Sequence, residues 1–128
     1  ERLALYHRYQ GAVHQRAVED PTPFLIADGG QGGGELHARD AHGRLLAVSV
    51  VDAWDDALSS VYCYWEPDER RRGLGTFLAL AEIAHCLATS RRWLYLGFLV
   101  EGCGKMAYKA RFQPQEMLID GRWQRTST

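Results

Sequence analysis

The apolar run Leu45–Val51, written LLAVSVV, constrains the fold more than any other part of this sequence. Six of its seven residues are apolar and three of them are valines, a composition typical of β-strands. A half-exposed strand alternates apolar and polar residues, whereas an uninterrupted apolar run is typical of a strand covered on both faces. The chain must therefore supply a packing layer on each side of the sheet that contains this run.

The first half of the sequence also contains a helix pattern and two further strand patterns. Apolar residues at helical spacing predict an amphipathic helix over residues 2–17. The glycine-rich stretch 29–34 loses too much backbone freedom on ordering to favour regular structure, so we expect a loop there. Turn signals separate the strand patterns, which predicts an antiparallel meander. Its strands are expected at Glu35–Arg39, Leu45–Trp54 and Ser59–Glu66.

The second half begins with a change in hydrophobic period. Apolar residues three and four positions apart predict a long buried helix from Leu74 onwards. With no internal repeat and no linker-like segment, we predict a single domain over residues 1–128, of the α+β class, with a mostly antiparallel sheet flanked by helices. Beyond the long helix, we expect a strand at Trp93–Phe98, a short helix at Lys105–Ala110 and a last strand within Arg111–Ile119.

Composition excludes several classes of protein. A hydrophobic content of 46% with 24% charged residues is that of a globular chain, which excludes a disordered or collagen-like one. No apolar run approaches the roughly 18 residues of a membrane-spanning helix and no signal-peptide pattern opens the chain, so we expect a soluble protein. Three cysteines are too few for a disulfide scaffold, which favours a cytoplasmic location. The histidines show no metal-ligand spacing, so no metal site is expected.

The charged residues divide unevenly between the two halves. Residues 1–69 hold five basic and twelve acidic residues, whereas residues 70–128 hold ten basic and four acidic ones. A basic second half could bind an anionic partner. Solvated surface charge with no partner is the alternative.

The segment Arg70–Gly75, written RRRGLG, follows a predicted strand and opens the long helix. Glycines let backbone N–H groups approach an anion, the helix N-terminus adds unpaired donors, and arginines add countercharge. The segment fits R-x-x-G-x-G and resembles the pyrophosphate-binding loop of the GNAT acyltransferases; simple helix capping is the alternative. The resemblance implies that donor phosphates are bound by Arg70, Arg71, Arg72, Gly73 and Gly75.

A second resemblance covers almost the whole chain. Strings such as Tyr95–Phe98, Val50–Asp52, Leu58–Tyr62 and Tyr6–Tyr9 resemble the C-terminal domain of the aminoacyl-tRNA:protein transferases. This family implies a GNAT-like fold and an aminoacyltransferase that moves arginine or leucine from aminoacyl-tRNA to the N-terminal Asp or Glu of a protein, marking that protein for degradation. The resemblance implies no cofactor besides aminoacyl-tRNA as co-substrate, and no membrane partner.

The resemblance and the chemistry of this reaction suggest roles for individual residues. Asp52 and Glu101 are candidates for accepting the proton of the attacking amine, with a turn carboxylate and a solvated loop charge as the alternatives. Arg8 is the candidate for binding the acceptor carboxylate, with Arg72 as a second possibility, because a guanidinium pairs with a carboxylate through two hydrogen bonds. Aromatic rings and ammonium groups suit an unpaired RNA end. The candidates for binding the end of the tRNA are Tyr95, Lys105, Tyr108 and Lys109.

Two departures from the family keep other functions open. The family usually has serine where Gly73 stands, so an acetyl-CoA-dependent GNAT N-acetyltransferase is one alternative. Nothing in the sequence corresponds to the cysteine-bearing N-terminal domain of the family. The other alternative is a non-catalytic module that binds acidic N-termini or RNA.

Overall fold

The computed structural model describes residues 1–14, 32–100 and 102–126. The chain divides after Gly97 into two compact units, each of which is described by itself. Short 3-10 and π-helical segments accompany the main elements. In chain order, the elements are α1 (Arg2–Tyr9), a π-helical segment (Gln10–His14), β1 (Gly32–Arg39), β2 (Leu45–Ala53), β3 (Ala57–Trp65), a 3-10 helix (Pro67–Arg72), α2 (Leu74–Ala88), β4 (Trp93–Tyr95), a second 3-10 helix (Ala107–Arg111), β5 (Gln115–Ile119) and β6 (Arg122–Thr126).

Four strands form the sheet of the first unit, in the order β1-β2-β3-β4. Strands β1, β2 and β3 pair as an antiparallel meander, and β4 pairs with β3 in parallel. Helix α2 connects β3 to β4, as a parallel connection requires. This confirms the predicted α+β class, with a mostly antiparallel sheet flanked by helices.

Strand β2 lies in the middle of the core, as its apolar run predicts. Every residue from Leu45 to Asp52 is buried. Val48 packs in one cluster with Leu5 of α1, whereas Ala47 packs in another with Leu78 of α2. Because neighbouring residues of a strand point to opposite faces, α1 and α2 cover opposite faces of the sheet.

The glycine-rich stretch is partly a strand, so the predicted loop is wrong over Gly32–Gly34. These residues pair with Ala53, Asp52 and Val51 of β2. Pairing with a buried strand satisfies their backbone groups and offsets the entropy that glycine loses. The preceding positions 29–31 lie outside the described residues.

The first helix is shorter than predicted over residues 2–17. Regular α-helix ends at Tyr9, and the chain continues as the π-helical segment Gln10–His14. Residues 15–17 lie outside the described part of the chain. The buried side chains of α1 are Leu5, Tyr6 and Tyr9, which face the sheet.

The second unit contains a hairpin of β5 and β6 that the sequence analysis only half predicts. Asp120 and Gly121 connect the strands with positive φ angles of 49° and 75°. This Asp-Gly pair is the usual signal of a two-residue hairpin turn. Strand β6, written RWQRT, contains one apolar residue, Trp123, so its sequence has no apolar alternation from which a strand could be predicted. No helix among the described residues is long and apolar enough to cross a membrane.

Candidate functional site

Strand β3 continues for six residues beyond its last pairing with β4, so the two strands part toward the carboxyl end of β3. β4 pairs with β3 at three positions, the last joining Ser59 to Tyr95. From Ser60 to Trp65, the pairing described for β3 is with β2 alone. Openings at the carboxyl ends of parallel strands are common binding sites in α/β sheets. The arginine-rich segment begins a few residues after β3 ends.

A β-bulge in β3 lies beside this parting. Val50 pairs with Tyr62 and Val51 pairs with Ser60, so Val61 has no residue opposite it on β2. The extra residue changes which face the following side chains occupy. Before the bulge, Leu58 packs toward α2, and after it Tyr62 packs toward α1. Ser60 lies before the bulge and two residues after Leu58, so its hydroxyl is on the α2 face, whereas the bulge moves Tyr62 to the α1 face.

The three consecutive arginines occupy the last turn of the 3-10 helix Pro67–Arg72, and all three are exposed. Gly73 follows with φ of +63°, a left-handed conformation that ends the 3-10 helix and begins α2. Its N–H donates to the carbonyl of Arg70 at 3.3 Å. Among the described residues, no side chain caps the first turn of α2. The bend therefore combines three cations with uncapped N–H groups at the positive end of a helix dipole.

Gly75 has a packing role in addition to its place in the motif. A Cβ added at Gly75 would lie 3.6 Å from the ring of Trp65, an ordinary contact distance. The missing side chain thus points toward Trp65 and the sheet. Gly75 can still contribute its N–H at the first turn of α2.

Arg8 lies against a buried carboxylate. Its Nη2 donates to Oε2 of Glu66 at 2.8 Å, and its Nε lies 3.2 Å from the same oxygen. Nη2 of Arg44 also contacts that oxygen at 3.2 Å. Hydrogen bonding from Arg8 is the main cause that lowers the pKa of Glu66, and Arg44 adds to it. The network extends to Arg72, because both Arg44 and Arg72 contact Glu69, at 3.7 and 3.8 Å.

A second buried carboxylate lies on the α2 face of the sheet. Glu82 is 1% exposed, and its Oε1 accepts hydrogen bonds from the hydroxyls of Ser49 and Ser60, the latter at 3.0 Å. Its Oε2 is buried and has no hydrogen-bond partner among the described residues. Burial raises the pKa of Glu82, and the serine hydroxyls lower it only in part. The two serines lie on either side of the bulge, so Glu82 contacts both strands at the irregularity.

Asp52 lies one residue before the end of β2 and is 9% exposed. It is paired with Gly33 on one side and Ser59 on the other. Its Oδ1 is buried with no hydrogen-bond partner in the described part of the chain. Ser59 is also the last residue of β3 that pairs with β4, so Asp52 lies beside the parting of the strands. At about 3.3 Å per residue, its partner Ser59 is roughly 20 Å along β3 from Trp65, and the arginine bend begins beyond Trp65.

The residues predicted to bind the tRNA end fall in both units. Tyr95 ends β4 in the first unit and is 42% exposed. Tyr108 and Lys109 belong to the second 3-10 helix, and Lys105 precedes it. Lys109 donates from Nζ to the carbonyl of Phe98 at 2.8 Å. The other proton-acceptor candidate, Glu101, lies outside the described residues.

Sequence reasoning missed both buried carboxylates and Arg44. Glu82 left a detectable signal, because it stands four residues after Leu78 on the apolar face predicted for the long helix. A carboxylate in an apolar stripe needs buried partners. Glu66 and Arg44 left no comparable signal. Each is a charged residue at or beside the end of a predicted strand, and the sequence alone does not distinguish a buried residue at such a position from an exposed one.

Residues 1–119 match the family described as arginine-tRNA-protein transferase, C terminus. Among similar proteins, the aspartate/glutamate leucyltransferase of Nitrosococcus oceani is 38% identical over 128 residues, covering 96% of this chain and 54% of that protein. The enzyme of the same name from Gluconacetobacter diazotrophicus is 37% identical over 135 residues, covering 96% of this chain and 49% of that protein. The one from Pseudomonas putida strain W619 is 47% identical over 81 residues, covering 63% and 34%.

The chain spans about half the length of the first two of these relatives. The match confirms the resemblance that the sequence motifs indicate. The matched region contains the arginine bend, both buried carboxylates and Asp52. The chain belongs to the arginine-tRNA-protein transferase C-terminal family.

Proposed function

We propose that this chain catalyses transfer of leucine or arginine from aminoacyl-tRNA to the N-terminal Asp or Glu of an acceptor protein. The observation that carries this proposal is the position of the arginine bend at the uncapped N-terminus of α2, directly after the strand that parts from β4. Such a bend suits the phosphates of a nucleic acid. The names of the relatives supply the acidic acceptor and the aminoacyl group.

The proposed fold is GNAT-like over residues 1–128. Its support is the element order, a meander followed by a helix and a strand parallel to the last strand of the meander. In this proposal the donor phosphates are bound by the arginine bend and the first turn of α2. The residues assigned to the phosphates are Arg70, Arg71, Arg72, Gly73 and Gly75, and those assigned to the terminal nucleotides are Tyr95, Lys105, Tyr108 and Lys109.

The chemistry requires little more than orientation and a route for one proton. The α-amine of the acceptor attacks the ester carbonyl of aminoacyl-tRNA, a C–N bond forms, and the ester C–O bond breaks to release the tRNA. An α-amine has a pKa of about 8, so part of it is unprotonated at neutral pH. The candidates for accepting the proton that the amine loses are Asp52 and Glu101, and that proton passes on to the departing ribose oxygen. The candidate for binding the acceptor carboxylate is Arg8. Because Asp52 pairs with Ser59, roughly 20 Å along β3 from the strand end where Arg8 contacts Glu66, Asp52 and Arg8 are alternative rather than joint partners of one acceptor residue. The three cysteines, Cys63, Cys86 and Cys103, form no disulfide, which supports a reducing, cytoplasmic setting.

Mass spectrometry of an acceptor peptide tests this function. An Asp-starting peptide is incubated with the chain and either leucyl-tRNA or arginyl-tRNA, and an otherwise identical Asn-starting peptide is the control. We expect the Asp peptide to gain the mass of one leucyl or arginyl residue, and the Asn peptide to remain unchanged.

The alternatives give different products. A gain of one acetyl group, seen only with acetyl-CoA, would support the N-acetyltransferase alternative that Gly73 keeps open. Binding of the tRNA and the Asp peptide with no product would support a non-catalytic module. Either result would contradict the proposed transfer.

A further inference from the structure

One buried carboxylate holds two half-exposed guanidinium groups next to each other. Glu66 is 2% exposed, and its Oε2 contacts Nη2 of both Arg8 and Arg44, at 2.8 and 3.2 Å. The side chains of Arg8 and Arg44 are 51% and 50% exposed. The two guanidinium groups are therefore neighbours, and each keeps a side that faces solvent.

Both guanidinium groups retain N–H donors that the carboxylates do not use. A guanidinium has five such donors in a planar arrangement. Arg8 contacts Glu66 through Nε and Nη2, and Arg44 contacts Glu66 and Glu69 through its two terminal nitrogens. Within residues 1–14, 32–100 and 102–126, Nη1 of Arg8 and Nε of Arg44 have no hydrogen-bond or ion-pair partner. One additional carboxylate could thus receive hydrogen bonds from both side chains.

The charges of this network match one anionic group better than a row of phosphates. Three arginines, Arg8, Arg44 and Arg72, contact two carboxylates, Glu66 and Glu69. The carboxylate of Asp68 also acts on Arg8, so positive and negative charges are about equal in the network. A nucleic acid backbone is best matched by several uncompensated cations. The carboxylates beside Arg8 and Arg44 would repel a row of phosphates at that position. A single side-chain carboxylate needs only the N–H donors that these two guanidinium groups leave unused, while Arg72, at the outer end of the network, remains with the donor phosphates.

Glu66 also holds the two guanidinium groups in place before anything binds. Glu66 stays ionised because hydrogen bonds from Arg8 and Arg44 lower its pKa. Two cations held by a buried carboxylate lose less side-chain freedom on binding than two mobile arginines would. Such a site suits selective recognition of a planar carboxylate by guanidinium forks.

We propose that Arg44 is a second acceptor-binding residue, which shares with Arg8 the recognition of the side-chain carboxylate of an N-terminal Asp or Glu. Glu66 is the positioning residue that holds this pair. The identity of the acceptor rests on the proposed function. Arg44 and Glu66 are additions to the set of residues that the sequence motifs indicate.

Peptide binding in the absence of tRNA tests this inference. Two fluorescent peptides, identical except for an N-terminal Asp or Asn, are titrated with the 128-residue chain. We expect the chain to bind the Asp peptide about tenfold more tightly than the Asn peptide. Arg44→Gln and Arg8→Gln should each reduce this preference to about twofold or less and leave the affinity for the Asn peptide unchanged.

Two further variants separate binding from folding. Arg92→Gln is the matched control, because Arg92 is an exposed arginine beyond the opposite end of α2, and it should keep the full preference. Arg44→Lys keeps a positive charge beside Glu66 and Glu69 but lacks the guanidinium fork. We expect it to fold like the original chain, as thermal unfolding would show, and to lose most of the preference for Asp.

Three outcomes would overturn the inference. The first is equal binding of the two peptides by the original chain, and the second is an Arg44→Gln variant that keeps the preference. The third is an Arg44→Gln variant that loses affinity for tRNA but not for the Asp peptide, which would assign the pair to the nucleic acid. Because no tRNA is present, this assay measures acceptor binding independently of transfer. A chain without transferase activity can still prefer the Asp peptide, and an active chain can fail to prefer it, so failure of this inference is distinguishable from failure of the proposed function.

Discussion

The hydroxyl of Ser60 donates a hydrogen bond of 3.0 Å to Oε1 of Glu82, joining strand β3 to helix α2 one residue before the bulge at Val61. The carboxylate also accepts from Ser49 on β2. A single buried side chain thus connects two strands and a helix close to the parting of β3 and β4. This contact leads to a prediction about the dependence of stability on pH.

Burial raises the pKa of Glu82 in the native state above the value of about 4.3 expected in the unfolded chain. The native state then binds more protons than the unfolded state, so the free energy of unfolding falls as the pH rises between these two pKa values. Glu82→Gln removes this titration. We expect urea unfolding from pH 4 to pH 8 to show a smaller loss of stability in the variant. Equal pH dependence in both proteins would contradict a raised pKa.

Glu66 should have the opposite dependence. Its native pKa is lowered, chiefly by the hydrogen bond from Arg8, so its ionised form stabilises the folded state above the unfolded-state pKa of about 4.3. That contribution is lost as the pH falls through the native pKa. Glu66→Gln should be less stable than the original chain at pH 7, and the difference should shrink toward pH 3 in the same unfolding measurement. A difference that grows on acidification would refute this assignment.

The elements predicted best are those in which one local pattern decides the structure. The strand predicted at Leu45–Trp54 is observed at Leu45–Ala53, and the long helix begins at Leu74 as predicted. Each has a continuous apolar pattern that tertiary contacts reinforce. The strand over Gly32–Gly34 could not be predicted in this way, because it depends on pairing with residues about twenty positions later.

The same distinction applies to the candidate site. The arginine bend is contiguous in the sequence, so its position at the start of α2 follows from local reasoning. The contact between Ser49 and Glu82 joins residues 33 positions apart, and that between Arg8 and Glu66 joins residues 58 positions apart. No local pattern encodes such pairs. They arise only once the sheet register is known.

Two alanine variants should show that the two glycines of the bend contribute differently to stability. Gly73 has φ of +63°, so Gly73→Ala should cost about 1–2 kcal/mol through backbone strain. Gly75→Ala places a methyl group in ordinary contact with Trp65 inside a helix, and should stabilise the chain by about 0.5–1 kcal/mol. Chemical denaturation measures both changes in stability.

The Gly75→Ala variant should also keep its affinity for tRNA to within about twofold, because the added methyl group faces Trp65. A larger loss of affinity would show that this side of Gly75 contacts the tRNA.

Arg72→Ala should weaken tRNA binding in a salt-dependent way. Its ion pair with Glu69 is 3.8 Å long and half exposed, so the stability change should stay within about 0.5 kcal/mol. Loss of one phosphate contact should reduce the slope of log affinity against log salt by about 0.7 to 1. Fluorescence anisotropy at several salt concentrations measures this slope, and Arg92→Ala is the control. An unchanged slope would remove Arg72 from the phosphate site.

Asp52→Asn tests whether the buried carboxylate beside the strand parting accepts the amine proton. Asparagine keeps the shape but binds protons far more weakly, so we expect kcat for transfer to fall about 100-fold or more. Stability should stay the same or rise, because Oδ1 of Asp52 is buried without a partner among the described residues. Steady-state kinetics with the Asp peptide measures kcat, and Asp55→Asn, at an exposed position, should leave it unchanged. Transfer by Asp52→Asn at the original rate would exclude Asp52 as the proton acceptor and leave Glu101 as the remaining candidate.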